Sequence, residues 1–105
     1  MPKYLVKASY TLDGIKAIKA HGGSGRRDAV AEAVRSVGGT MEAFYFAFGE
    51  SDVYVLCDLP GNVEAAAIGL ATCAGGGAST QTVVLLTPEE MDQAAQRDVG
   101  YRPPS

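Results

Sequence analysis

Residues 40–59 read Thr-Met-Glu-Ala-Phe-Tyr-Phe-Ala-Phe-Gly-Glu-Ser-Asp-Val-Tyr-Val-Leu-Cys-Asp-Leu. Two runs of aromatic and β-branched residues, types that fit a pleated surface, meet at the short polar break Gly49-Glu50-Ser51-Asp52. Such a break is a hairpin connection. Neither arm alternates cleanly. Phe44, Phe46 and Phe48 fall on one face, and Ala43, Tyr45 and Ala47 on the other. A strand that is apolar on both sides needs cover on both sides. The hairpin is therefore the centre of a sheet, and that sheet calls for two covering layers.

The segments around it complete the pattern. Lys3 to Tyr10 alternates, with Tyr4, Val6, Ala8 and Tyr10 on one side and Leu5, Lys7 and Ser9 on the other. Thr11 or Asp13 can cap a following helix, because their oxygens accept from orphan backbone N–H groups. That helix should weaken at His21-Gly22-Gly23-Ser24-Gly25, where glycines leave the backbone too free. It resumes with a core-facing stripe of Ala29, Val30, Ala33, Val34 and Val37. Arg26, Arg27, Glu32 and Arg35 fall mostly on its outer side, and Gly38-Gly39 ends it. After the hairpin, Pro60 stops the strand and Asn62 is a candidate cap for an alanine-rich helix to about Ala74, most of whose circumference can pack. Gly75-Gly76-Gly77 closes it. Residues 79–87 form a fourth strand. Thr87-Pro88-Glu89-Glu90 opens a short last helix to about Gln96, with threonine capping and proline in the first turn.

The order strand, helix, strand, strand, helix, strand predicts a ferredoxin-like βαββαβ α+β sandwich: a four-stranded antiparallel sheet with both helices on one face, plus a short C-terminal helix. Residues 1–95 form one domain and 96–105 a tail. The sheet's second face stays open, and monomers rarely leave a large apolar patch in water. The expected partner is a second copy, packed sheet to sheet as a homodimeric α+β barrel.

Composition excludes several classes. Nine basic against twelve acidic residues leave a net charge of −3, poor for nucleic acid or an anionic membrane surface. No stretch approaches the ~18 apolar residues of a membrane span. The chain enters its first strand at once, without the apolar core of a signal peptide, so a cytoplasmic location is expected. Cys57 and Cys73 lack metal-ligand spacing and read as two small buried hydrophobes. One histidine and these cysteines build no usual metal site, and no cofactor is expected.

An ordered set of segments resembles a known family. Tyr4-Leu5-Val6, Thr11 to Ile18, Arg27 to Gly39, Phe44-Tyr45 running to Asp52, Asp58-Leu59-Pro60 and Thr82-Val83 to Glu90 are similar to the GYD-domain family of small bacterial and archaeal proteins. The family typically reads Gly-x-Tyr-Asp at the hairpin turn, and this chain carries Ser51 at the tyrosine position. The resemblance implies the α+β fold and the dimer. The family's biochemical role is generally unassigned.

Five residues are the candidates for chemistry. His21 is the only histidine, and imidazole alone among side chains ordinarily titrates near neutral pH. As a general base it would stand at a cavity mouth; otherwise it is a loop residue. Asp52 is either turn chemistry or a carboxylate paired with Arg26, Arg27 or Lys7. Lys7 would enter the dimer cavity and need an anion, or else guards a sheet edge. Tyr45 and Tyr54, with Tyr10, could line the interior or simply pack. The sequence thus supports a homodimeric small-molecule-binding or regulatory module, with a site at the sheet-to-sheet interface. The alternatives are a cofactor-independent enzyme of monooxygenase or isomerase type on a small, aromatic-like substrate, and a purely structural oligomer.

Overall fold

A computed structural model describes residues 1–104. The elements are β1 (Lys3–Tyr10), α1 (Leu12–Ser36), β2 (Thr40–Phe46), β3 (Val53–Asp58), α2 (Asn62–Ala74), β4 (Ala78–Leu85) and α3 (Pro88–Ala95). The strands form one sheet in the order β2-β3-β1-β4, every neighbour antiparallel. This is the predicted ferredoxin-like sandwich with its terminal helix.

Register assigns the faces. Tyr4 lies opposite Cys57, Val6 opposite Val55 and Ala8 opposite Val53. All six belong to the layer under the helices, where Val34 of α1 and Ala65 of α2 join them. Tyr4, Val34, Cys57 and Leu59 are the largest fully buried side chains. The intervening residues point to the open face: Lys3 opposite Asp58, Leu5 opposite Leu56, and Lys7 opposite Tyr54. Glu42 is the extra residue of a bulge between Met41 and Ala43. It meets Lys3 on that face, and Asp58 accepts from the same ammonium at 3.0 Å. These hydrogen bonds, that of Glu42 first, hold the Lys3 pKa above its ordinary value. Their contribution is therefore fully present at neutral pH and fades only as alkali removes that proton.

Local chemistry sets the helix ends. Thr11 Oγ1 accepts from Gly14 N at 3.2 Å, so threonine rather than Asp13 caps α1. The same hydroxyl donates to Gly76 O at 2.8 Å, and Thr11 N donates to Gly77 O at 3.0 Å. The start of α1 is thus tied to the turn after α2. Midway, Gly22 takes φ 79° and ψ 170° and kinks the helix, at the glycine-rich break where weakening is expected. No β-carbon tolerates that backbone comfortably. At α3, Thr87 and Glu90 form a capping box, with Pro88 in the first turn.

Several expectations need correction. Asn62 does not cap α2: the cap position is Gly61, and Asn62 Oδ1 instead accepts from the Tyr4 hydroxyl at 2.7 Å. A buried phenol needs a partner, and the asparagine one residue into the helix supplies it. β2 stops at Phe46, so Phe48 lies in the loop and is fully exposed rather than sharing a face with Phe44. α2 is not packed around most of its circumference. Only Ala65 is buried, while Val63 and Leu70 are exposed, because α2 lies over the edge strand β4 and nothing covers its outer side.

The cysteines accordingly differ. Cys57 is buried and Cys73 exposed, so the pairing of both as core residues fails for Cys73. Burial, with a smaller contribution from the Asp58 charge, pushes the Cys57 thiol pKa up. Titration with a thiol-reactive disulfide is expected to modify Cys73 rapidly in the native protein and Cys57 only on unfolding. Equal rates for both thiols would contradict this packing.

Candidate functional site

Two places in the fold gather chemistry-bearing side chains, one on each side of the sheet.

The first is a cavity of about 460 Å³ on the helix side, between the first half of α1, the end of β1 and the 75–77 turn. It exists because α1 is held at two points. The Thr11 hydrogen bonds fix its start, and Val30 and Val34 seat its second half on the core. Gly14 makes the first contact possible, since a β-carbon there would stand 2.1 Å from Gly77 O. Between the anchors Gly23 packs on the Phe46 ring, and the cavity opens between that part of α1, Tyr10 and the 75–77 turn. Tyr10 lines the cavity together with Asp13, His21 and Arg26, and Ala17, Ile18 and Ala29 are among its apolar wall.

Arg26 departs from its expected place on the outer side of α1. It is half-buried, and its guanidinium carbon sits 5.9 Å from the centroid of the Tyr10 ring, within cation–π range. Its Nε is buried without a hydrogen-bond partner among the described residues. The signal was present in the sequence. Arg26 precedes Val30 by four residues and Val34 by eight, so it extends the apolar stripe one turn ahead of its first valine. Tyr10 lies 6.4 Å from Phe46, whose ring meets Phe44 edge-on at 5.2 Å. Of these rings only Tyr10 lines the cavity.

The second place is the open face. Register sets Tyr45 opposite Tyr54, Tyr54 opposite Lys7, and Lys7 opposite Gln81, one row across all four strands. Beside it runs an apolar row of Ala43, Leu56, Leu5 and Val83. A hollow of about 110 Å³ adjoins Lys7, with Ser9, Ser51 and Gln81 in its wall. Lys7 forms no ion pair among the described residues.

Asp52 belongs to neither group. Its Oδ2 accepts from Tyr10 N at 2.8 Å, its own N donates to Ala8 O, and its carbonyl accepts from Ala47 N, both at 2.8 Å. β3 pairs with β1 only as far as Ala8, so the next β1 amide on that side has no strand partner. The Asp52 carboxylate takes its place. The expected pairing with an arginine or Lys7 is absent among the described residues, where Arg27 pairs with Asp28 at 3.2 Å. Thus Lys7, Tyr45 and Tyr54 come together, while His21 lies across the sheet from them and Asp52 closes a strand end. Among the described residues no cluster of three or more His, Cys, Asp or Glu could hold a metal ion, and no helix is long and apolar enough to cross a membrane.

A family model described as the GYD domain matches residues 4–95. The chain belongs to the GYD domain family. The match runs from Tyr4, the deepest aromatic of the core, to the last residue of α3. It includes the kinked helix, both faces of the sheet and the hairpin turn in which this GYD domain carries Ser51, a buried residue. No curated protein and no solved structure matches the chain.

Proposed function

We propose that this GYD domain is a homodimeric small-molecule-binding or regulatory module, with two copies packed sheet to sheet and a ligand site at their interface. One observation carries the reading: the uncovered face of the sheet sets an apolar row, Ala43, Leu56, Leu5 and Val83, directly beside the row Tyr45, Tyr54, Lys7 and Gln81. The apolar row is a surface that gains by being covered. A second copy of the same face is self-complementary about a two-fold axis, the commonest arrangement of soluble oligomers. Covering it takes the Lys7 ammonium out of water. A buried ammonium needs an anion, which Glu50 in the same hollow, the partner or a bound small molecule can supply. Tyr54 and Tyr45 flank that position with flat rings and hydroxyls suited to a polar ligand.

Sedimentation velocity at micromolar concentration is expected to give a dimer. Leu56→Asp, which sets a carboxylate in the middle of the apolar row, is expected to weaken association at least about tenfold while leaving the circular-dichroism spectrum of the folded chain intact. A wild-type monomer at that concentration, or an unchanged dimer in the variant, would overturn the proposal.

A further inference from the structure

The helix-side cavity plays no part in the sheet-to-sheet reading, and its polar groups form a pattern of their own. Buried polar atoms almost always find a partner, and one that does not calls for an explanation. Arg26 Nε is such an atom. Its guanidinium lies over the Tyr10 ring at the boundary between the cavity and the core, and lines both. No carboxylate comes within ion-pair distance of it among the described residues. Asp13, on the same cavity wall, is the one acidic side chain there, and His21 is the remaining titratable group beside Tyr10.

We propose that this cavity binds a small, largely apolar monocarboxylate, whose carboxylate is taken by Arg26. Nε is buried, so the edge left for a ligand is the terminal one, whose Nη1 and Nη2 present two parallel N–H groups, a fork that matches a planar carboxylate in bidentate fashion. The Tyr10 ring lies beneath the guanidinium within cation–π range. Gly22 interrupts the helix, so Gly25 and Arg26 stand in the first turn of the resumed segment, where the helix dipole favours a negative charge. Charge count selects among anions. With one arginine and one aspartate in the lining, a single negative charge meets less repulsion than a phosphate dianion, which has no second cation to offset it against Asp13. The body of the ligand lies along Ala17, Ile18 and Ala29, and the volume of about 460 Å³ is within the range of small-molecule sites. His21, in the same lining, offers a ring nitrogen to a polar group of the ligand.

The inference shares with the proposed function the premise that the chain binds small molecules, and it does not depend on sheet pairing. Uniformly 15N-labelled protein is titrated with phenylacetate, octanoate, phenylacetamide and inorganic phosphate while amide shifts are followed. Phenylacetate or octanoate is expected to shift the amides of Gly22, Gly25, Gly75 and Gly77 saturably. Phenylacetamide is expected to bind at least about tenfold more weakly, because it lacks the charge-assisted pair. Arg26→Gln is expected to lose carboxylate binding by a similar factor, while the neighbouring Arg27→Gln does not. Should Arg26→Gln fail to fold, the comparison of acid and amide on the wild-type protein decides. Absence of saturable shifts with both carboxylates, equal binding of acid and amide, or phosphate binding as tightly as phenylacetate overturns the assignment. Shifts confined to Lys7, Tyr45 and Tyr54 overturn it while leaving the sheet-interface reading in place. Cavity shifts in a protein that sediments as a monomer do the reverse.

Discussion

Leu59→Ala is expected to cost about 2–5 kcal/mol of folding stability, read as a lowered urea midpoint by circular dichroism at fixed protein concentration. Leu59 has 0% of its surface exposed and sits in one cluster with Tyr4, Val34, Cys57 and Ala65. Two features limit collapse around the vacated space. Leu59 N donates to Pro2 O at 3.1 Å, which holds the backbone just past β3. Gly39 leaves no slack on the facing side, since even a β-carbon there would be 2.6 Å from Leu59 Cδ2 and 2.5 Å from Asp58 O. The removed methyl groups therefore leave a cavity that neighbours cannot fill. For a domain of this size the total is about 5–15 kcal/mol, so the variant is expected to be partly unfolded well below the wild-type melting temperature. A midpoint within error of wild type would mean that the core is not centred on this residue.

Asp52→Ala is expected to cost about 1 kcal/mol, the usual consequence of leaving a part-buried donor without its acceptor. The donor is Tyr10 N, at 2.8 Å. Hydrogen exchange at the Tyr10 amide should accelerate together with the loss of stability. Asp52→Asn keeps a side-chain oxygen in the same place and should retain most of both. If Asp52→Asn were as destabilising as Asp52→Ala, the negative charge rather than the hydrogen bond would be what the turn requires.

These two residues also show what a linear reading can reach. The hairpin, the threonine cap of α1, the glycine break and the capping box at Thr87 are all governed by residues within a few positions of one another, and each is legible directly. Asp52 reads as a turn residue, and it is one, but its acceptor role depends on a β1 amide 42 residues earlier whose strand partner runs out after Ala8. Asn62 has the composition of a cap, yet the Tyr4 hydroxyl across the fold claims it. Cys73 and Leu70 sit in an apolar run that suggests burial on all sides. Their exposure follows from the sheet having a single helical layer, with α2 over its edge.

The candidate site was the harder half. Lys7, Tyr45 and Tyr54 share a row because of strand register, which the bulge at Glu42 resets, and no local pattern announces that row. The role of Arg26 was half visible. Helical spacing places it on the core stripe, but a charged residue at the end of such a stripe is ordinarily assigned to solvent. Only the cavity enclosed by α1, Tyr10 and the 75–77 turn explains how it can be half-buried and still open to a void.

The shape of that cavity rests on Gly22. Both ends of α1 are pinned, one by Thr11 to the 75–77 turn and the other by Val30 and Val34 to the core. The single non-helical residue between them fixes the angle at which the two halves meet. The room available to a guest is consequently set by one backbone joint, and not by the size of the side chains that would touch it. Any side chain at Gly22 strains this joint and one at Gly23 meets the Phe46 ring, so a change at either is expected to reshape the room for a guest. Selectivity for size and selectivity for charge are written in separate parts of the same helix.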